Sequence, residues 1–164
     1  MLPKGGSDMS SKVKPVPEGY RTVTPYLYIR GAANALDFYK RAFGAVEKVR
    51  MPGPGGSIMH AEIQIGDSML MLGDENAERG IKSPLACGAA TGALFLYVDD
   101  VDAWFKRAVN AGAKAKTPPA DMFWGDRYGT VVDPFGHEWG LATHKEDLTP
   151  QQMEERMKAF MSKQ

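Results

Sequence analysis

The histidines of this sequence, together with the carboxylates beside them, are the residues that could do chemistry. The segment DPFGHEWGLATH, residues 133–144, contains His137, Glu138 and His144. A zinc site of the H-E-x-x-H type needs histidines at positions i and i+4 of a helix, but these two are seven residues apart. The Asp-Pro-Phe-Gly turn and Gly140 favour a strand, on which residues an odd number apart face opposite sides. His137 and His144 are therefore not expected to share a metal ion.

His60 and Glu62 form a second candidate pair, two residues apart in the alternating run IMHAEIQI. Alternation predicts a strand, on which these two side chains share one face. His60 could then act as a catalytic acid or base that Glu62 orients. The alternative is structural, a hydrogen-bonded pair that holds the wall of a pocket.

The turn at Gly66-Asp67 decides which face of the strand carries His60. A two-residue loop would keep Ile63 on the same face as Leu70 and would send His60 outward, away from a concave face. A turn that leaves Ile63 and Met69 beneath a helix would instead direct His60 toward the concave face. The sequence leaves both registers open.

The composition limits the class of protein. A chain of 164 residues with 43% apolar residues is long enough for one domain with a sizeable core. Its 20 acidic and 20 basic residues balance, and no basic stripe for nucleic acid is expected. No apolar run has the length of a signal peptide or a membrane span, which predicts a cytoplasmic protein without membrane contact. The single cysteine, Cys87, precludes an internal disulfide, and no neighbouring base marks it as a nucleophile.

Two copies of one βαβββ pattern account for most of the chain. The first copy has the order strand, helix, strand and hairpin, in TVTPYLYI, GAANALDFYKRAFG, AVEKVRM, IMHAEIQI and SMLML. The second copy repeats this order in GALFLYV, DDVDAWFKRAVNAG, AKAKT, FWGDRYGTVV and HEWGLAT. An offset of 69 residues aligns Leu36 with Phe105, and an offset of 70 aligns Gly66 with Gly136. A steady offset across whole elements indicates an internal repeat.

The predicted fold class is α+β. Two βαβββ modules, at residues 20–75 and 92–144, form a curved, mixed and mainly antiparallel sheet with the helices on its outer face. A linker at residues 76–91 joins the modules into a single domain at residues 20–144. We call the concave face of this sheet, opposite the helices, the cup.

The two ends of the chain are predicted to lie outside the domain. Residues 1–19, rich in Gly, Ser, Lys and Pro, are predicted to be a disordered arm. Residues 145–164 are predicted to contain an amphipathic helix that begins with a capping box at Thr149, Pro150 and Gln152. Its apolar stripe, formed by Met153, Met157, Phe160 and Met161, could pack on its own domain or on a second chain.

Aromatic residues are predicted to line the cup. Alternation in the first strand of each module turns Leu27, Ile29, Leu94, Leu96 and Val98 toward the helices. The residues between them face the cup, namely Tyr26, Tyr28, Phe95 and Tyr97. Trp124 and Tyr128 would flank its mouth, and Trp104 and Trp139 would pack under the helices. Such rings stack on planar molecules and attract cations, and Glu62 or Glu138 could offset a positive charge.

The repeat resembles the vicinal oxygen chelate superfamily, which includes glyoxalases, bleomycin-resistance proteins and dioxygenases. The phrases YIRGAANALDFYKRAFG and YVDDVDAWFKRAVNAGA and the DPFG turn carry the resemblance, which covers residues 20 to 144. HAEIQIGDSMLML, FWGDRYGTVVDPFGH and WGLATH are most similar to its PhnB-like branch. The resemblance also implies a homodimer, because relatives commonly complete each cup from modules of two chains.

The resemblance implies four metal-ligand positions, which fall on Thr24, Leu70, Ala93 and Gly140 in this sequence. These residues supply no good ligand for a divalent ion. Isomerisation or oxygenation of the kind that needs a metal electrophile is therefore not expected, and no cofactor is predicted.

Three functions are compatible with these observations. The first is a metal-free protein that binds a planar or cationic small molecule through Tyr26, Tyr28, Phe95, Tyr97, Trp124, Tyr128 and Glu138. The second is an enzyme that uses His60 and Glu62 as an acid–base pair, or a displaced metal site that adds Glu138 or Asp126 to them. The third is a purely structural cup that the partner chain fills in a dimer.

Overall fold

The computed structural model describes residues 13–163 of the chain. Residues 1–12 of the predicted disordered arm lie outside the described residues. Module 1 contains β1 (Tyr26–Ile29), α1 (Ala32–Phe43), β2 (Val46–Pro52), β3 (Ile58–Ile65) and β4 (Ser68–Asp74). The linker contains a short helix, α2 (Pro84–Cys87). Module 2 contains β5 (Ala93–Tyr97), α3 (Val101–Ala111), β6 (Lys114–Asp121), β7 (Asp126–Val132) and β8 (Glu138–His144), and α4 (Pro150–Met161) follows it.

Each module forms its own four-stranded sheet. The strand orders are β1-β4-β3-β2 and β5-β8-β7-β6, so the two modules have the same topology. In each sheet the first strand pairs in parallel with the last, and the other neighbours are antiparallel. The predicted α+β class with two βαβββ modules and mixed sheets is confirmed.

Helix α1 is bounded by two glycines in the left-handed conformation. Gly31 precedes it with a φ of 86°, and Gly44 closes it with a φ of 65°. The Asp74 carboxylate accepts the backbone N–H groups of Gly31 and Ala32, both at 2.9 Å, and so satisfies two donors at the start of the helix. In module 2 the side chain of Asp100 caps α3 by accepting the N–H of Ala103.

Several predicted strand limits are wrong. TVTPYLYI was predicted to be strand throughout, but β1 begins only at Tyr26. FWG at residues 123–125 belongs to a turn, in which Gly125 has a φ of 96°, and β7 begins only at Asp126. The predicted strand AKAKT continues to Asp121 through two prolines, which an edge strand with bulges tolerates. The predicted strand AVEKVRM continues through Pro52, and the loop after it contains one turn of 3₁₀ helix at Pro54–Gly56.

A buried carboxylate joins the modules. Asp133, in the turn before β8, is 4% exposed. One of its oxygens accepts the Tyr39 hydroxyl of α1 at 2.8 Å and the Trp139 indole N–H at 2.9 Å. The other accepts the backbone N–H groups of Phe135 and His137. Burial, and then Asp133, raise the pKa of Tyr39 well above its ordinary value, so this hydroxyl keeps its proton.

The same region is a shared aromatic core. The rings of Phe43 and Trp139 have centroids 4.6 Å apart, and those of Tyr39 and Trp139 are 5.3 Å apart. Tyr39 and Phe43 come from module 1 and Trp139 from module 2, so one core spans both modules. Trp139 is buried as predicted, whereas Trp104 is only partly buried and lies under the Arg107 guanidinium.

Helix α4 lies against the end of module 2. It begins with the predicted capping box, in which Thr149 and Gln152 exchange side-chain and backbone hydrogen bonds. Phe160 contacts Phe123, with ring centroids 5.2 Å apart, and most of the remaining apolar stripe is exposed. No helix among residues 13–163 has the length and apolar character needed to cross a bilayer.

We expect Asp133→Ala to lower the free energy of unfolding by about 3 kcal/mol or more, because buried donors lose their only acceptor. Tyr39→Phe removes one donor and leaves the carboxylate in place, so it should cost about 1 kcal/mol. Urea unfolding followed by tryptophan fluorescence measures both. A loss below about 1 kcal/mol for Asp133→Ala would show that the modules are held mainly by apolar contacts.

Candidate functional site

The aromatic residues of β1 and β5 lie on the face opposite the helices. Tyr26 and Tyr28 are 39% and 42% exposed, and Phe95 and Tyr97 are 48% and 66% exposed. Ile29 is fully buried, and Leu27, Leu94 and Leu96 pack against the core. The structure therefore places these four aromatic side chains on the predicted cup face.

The cup aromatics form two clusters. In the module 1 cluster, Tyr26 and Tyr28 have ring centroids 5.2 Å apart. In the module 2 cluster, Phe95 stacks on Tyr128 at 5.3 Å with an angle of 4° between the planes, and contacts Tyr97 at 5.1 Å. Trp124 joins this cluster through Tyr128 at 5.9 Å. Within residues 13–163 the ring contacts stay inside each cluster, so the four first-strand aromatics are two pairs.

A cavity of about 320 Å³ lies between the modules. Tyr26 and Tyr28 line it from module 1, and Ala93, His137 and Glu138 line it from module 2. The linker, at residues 82–92, supplies much of the remaining wall. This volume falls within the range of small-molecule sites, roughly 300–1,000 Å³.

The structure resolves the register at Gly66-Asp67. The loop has two residues, and Ile63 lies opposite Leu70. Both side chains are buried in the helix-side core, at 0% and 5% exposure. The expectation that a two-residue loop sends His60 outward is wrong, because Leu70 belongs to the helix face rather than to the cup. His60 and Glu62 therefore face the cup.

His60 and Glu62 belong to a hydrogen-bonded group in module 1. His60 Nε2 lies 3.0 Å from Glu62 Oε1, and His60 Nδ1 lies 3.2 Å from the Tyr26 hydroxyl. The Tyr20 hydroxyl donates to the other oxygen of Glu62. The hydrogen bond from His60, followed by that from Tyr20, lowers the pKa of Glu62. Burial and the contact with Glu62 raise the pKa of Tyr20 to about 12.

Asp126 organises the module 2 cluster from beneath. It is 4% exposed and accepts hydrogen bonds from the Tyr97 hydroxyl at 3.0 Å and the Trp124 indole N–H at 3.2 Å. His144 Nδ1 lies 2.7 Å from its other oxygen. The hydrogen bond to Asp126 is the largest cause of the raised pKa of Tyr97. The next residue, Arg127, pairs with Asp102 and Asp121 and makes no ion pair with Asp126.

Glu138 is also paired, since Lys116 Nζ lies 2.6 Å from its carboxylate. Three features of the site were not predicted from the sequence, namely the contacts of Tyr20 and Lys116 and the burial of Asp126. No local sequence pattern predicts these contacts, because Tyr20 and Glu62 are 42 residues apart and Tyr97 and Asp126 are 29 residues apart.

The residues at the family's metal positions do not fit a divalent ion. Leu70 is in the helix-side core, so its predicted equivalence to Gly140 is wrong, and Met71 is the residue that pairs with β1 as Gly140 pairs with β5. The side chains of Met71, Ala93 and Gly140 offer no imidazole, thiolate or carboxylate. The Thr24 hydroxyl donates to the carbonyl of Arg21. Residues 13–163 contain no group of three or more His, Cys, Asp or Glu side chains that could hold a metal ion. The displaced site that would join Glu138 or Asp126 to His60 and Glu62 is not assembled there.

Each of the two modules has a sheet that is covered by a helix on one face and carries exposed aromatic residues on the other. This arrangement defines the class of proteins in which two βαβββ modules form a cup. A model of the Glyoxalase/Bleomycin resistance protein/Dioxygenase superfamily matches residues 22–141, and the chain belongs to this superfamily.

Relatives agree with this assignment. The uncharacterized protein Rv0887c of Mycobacterium tuberculosis is 45% identical over 139 residues, which are 83% of this chain and 78% of the relative. The crystal structure of TioX from Micromonospora sp. ML1 has a TM-score of 0.59 at 29% identity, over 74% of this chain and 97% of that one. The PhnB protein from Bacillus cereus, described as a putative 3-demethylubiquinone-9 3-methyltransferase, has a TM-score of 0.59 over 75% of this chain and 99% of that one. At 17% identity the PhnB likeness shows the fold alone, and it is consistent with the PhnB-like resemblance.

Gly140→Ala should disturb the module 2 cluster. A Cβ at this position would lie 2.7 Å from Phe95 Cδ2 and 3.0 Å from Tyr128 Cε2, so the stacked rings must move. We expect an altered near-ultraviolet circular dichroism spectrum and a stability loss of about 1–3 kcal/mol. Gly92→Ala is the matched control, because its Cβ meets nothing within 4 Å. Equal spectra for both variants would contradict the tight packing of Phe95 on Tyr128.

Proposed function

We propose that this protein binds a planar small molecule in the cup, between the module 1 and module 2 clusters, without the family's metal ion. The observation that carries this proposal is the set of four exposed aromatic side chains on the faces of the sheets opposite the helices, Tyr26, Tyr28, Phe95 and Tyr97. Exposed apolar patches of this kind mark ligand or protein contacts. The neighbouring cavity of about 320 Å³ gives the ligand room.

The contacts favour a planar ligand over one selected by positive charge. Lys116 already neutralises Glu138, and three donors satisfy Asp126. Neither Asp126 nor Glu62 has a Lys or Arg partner among residues 13–163, but Glu62 is committed to His60 and Tyr20 as Asp126 is to its three donors. Stacking on Phe95, Tyr97, Tyr26 and Tyr28 is the interaction that the face offers most widely.

The second candidate function is acid–base catalysis on the bound molecule. The hydrogen bonds from Tyr26 through His60 to Glu62 favour it, because they connect a cavity-lining side chain to a carboxylate. A version with a displaced metal is not favoured, since the donor atoms are not gathered. We expect either activity to take place in the cytoplasm.

A thermal-shift screen with planar aromatic compounds tests the binding proposal. A ligand at about 100 times its Kd should stabilise the protein by about 2.7 kcal/mol. Phe95→Leu should weaken binding about tenfold, because a stacking contact contributes about 0.5–1.5 kcal/mol beyond area burial. Phe105→Leu, on α3 at the other side of the sheet, is the control and should bind normally.

The same screen separates a ligand site from a filled dimer seam. A seam has no vacancy, so no planar compound would shift the melting temperature in that case. A uniform absence of shifts across the library would remove the binding proposal and support the structural function of the cup.

We also propose that the protein is a homodimer. The open sheets and the exposed Met157, Phe160 and Met161 of α4 leave apolar surface for a second copy. Sedimentation velocity at several protein concentrations should show a species of twice the chain mass, 17.9 kDa. A single monomeric species over the whole range would contradict this proposal and would leave single-chain ligand binding intact.

A further inference from the structure

The carboxylate of Glu62 determines where each proton lies in the hydrogen-bonded chain Tyr26–His60–Glu62. Glu62 is ionised, because the hydrogen bonds from His60 and then Tyr20 lower its pKa, and an ionised carboxylate only accepts. His60 Nε2 therefore carries the proton of the 3.0 Å bond. With Nε2 as the protonated nitrogen, Nδ1 is the acceptor, and the Tyr26 hydroxyl donates to it at 3.2 Å. This arrangement leaves the lone pairs of the Tyr26 oxygen free.

Gly73 makes room for this chain to cross the sheet. Tyr26 is on β1 and His60 is on β3, and Gly73 lies on β4 between them. A Cβ at Gly73 would lie 2.9 Å from the Tyr26 hydroxyl oxygen and 2.9 Å from the Met59 carbonyl oxygen. A side chain there would displace the hydroxyl from its place beside His60. Tyr26 meanwhile lines the cavity between the modules, so it is the member of the chain that a ligand meets.

We propose that Tyr26, His60 and Glu62 form a proton relay that accepts the proton of an acidic hydroxyl, phenolic or enolic, on a planar ligand in the cup. This inference rests on the proposed function, because the ligand must first occupy the cup. The ligand O–H bond breaks and its proton passes to the Tyr26 oxygen, while the proton of Tyr26 passes to His60 Nδ1. Tyr26 ends neutral, His60 becomes an imidazolium beside Glu62, and the ligand becomes an anion. No electrons are gained or lost.

The chemistry of the site limits the ligand class. Burial, and then Tyr28, raise the pKa of Tyr26, so its hydroxyl transmits a proton instead of standing as a phenolate. The side chains of the site do not form a binding site for a metal ion that would acidify a weak carbon acid. The ligand must therefore be acidic itself. Phenols and enols meet this requirement and are planar, as stacking on the neighbouring rings demands.

Module 2 has Phe95 at the position of Tyr26, so it lacks a hydrogen-bonded chain like that of module 1. This difference sets the orientation of a bound ligand. Phe95 pairs with Gly140 in the same way that Tyr26 pairs with Met71, so Phe95 replaces the tyrosine. Tyr128 stacks on Phe95, whereas His60 lies over Tyr26 with ring centroids 5.6 Å apart. A planar acid should therefore bind with its hydroxyl toward module 1 and its ring toward module 2.

Two probes of nearly one shape test the relay. Para-nitrophenol reports its own ionisation through the visible absorption of its phenolate, and para-nitroanisole has a methyl group in place of the acidic proton. At a pH about half a unit below the pKa of free nitrophenol, and so still above the ordinary pKa of imidazole of about 6.5, the wild-type protein should bind it as phenolate without releasing a proton to a weak buffer. Tyr26→Phe and His60→Gln should lower the ratio of bound phenolate to bound phenol about tenfold, equivalent to about one pKa unit. Both variants should bind nitroanisole as the wild type does.

The controls separate the relay from a structural role. Glu47→Gln removes a carboxylate of β2 that pairs with Arg50 and with Lys40 of α1, on the helix side of the sheet, and it should leave the ionisation of nitrophenol unchanged. Glu62→Gln keeps the side-chain shape and should lower the ionised ratio as His60→Gln does, which covers the case of a Tyr26 variant that fails to fold. Equal ionisation in the wild type, Tyr26→Phe and Glu62→Gln, with both probes bound, would overturn the relay and leave the binding cup standing. Failure of both probes to bind the folded wild type would overturn the cup and the relay together.

Discussion

The carboxylate of Asp133 fixes how the two halves of this protein meet. A buried charge is tolerated only where donors surround it, and Asp133 receives a phenol, an indole and two backbone amides. The phenol belongs to α1 of module 1 and the indole to β8 of module 2. One side chain thus sets the position of a helix in one repeat against a strand in the other. The cavity that both modules line depends on this alignment.

The two modules differ on their open faces. In module 1 the cup face carries a hydrogen-bonded chain that ends in Glu62, with a histidine in ring contact with the tyrosine of β1. In module 2 the equivalent region is a stack of Phe95 on Tyr128, held by Asp126 through Tyr97 and Trp124. One half therefore offers exchangeable protons and the other offers aromatic surface. The helix-facing sides of both sheets are apolar because both must pack under a helix, although α1 buries seven residues and α3 buries two.

The parts of the fold that local pattern controls could be predicted from the sequence. The helices and the hairpins follow from glycine, capping residues and alternation, which act over a few residues. The face that Leu70 occupies could not be derived, because it depends on which side of the strand the helix covers. The Tyr20 and Asp126 contacts were also beyond the sequence, since each joins residues that only the tertiary fold brings together. The limits of β6 and β7 were misplaced where prolines and a glycine turn depart from simple strand propensity.

The separation of the two sheets has a further consequence. Strands β1 and β5 belong to different sheets, and both contribute to the wall of the cavity. The distance between two strands of one sheet is fixed near 4.8 Å by backbone hydrogen bonds, but a seam between sheets follows the size of the side chains that fill it. Substitutions at this seam can widen or narrow the opening without breaking any ladder. Substitutions over evolutionary time can therefore fit the cavity to ligands of different size, while each sheet keeps its own backbone hydrogen bonds.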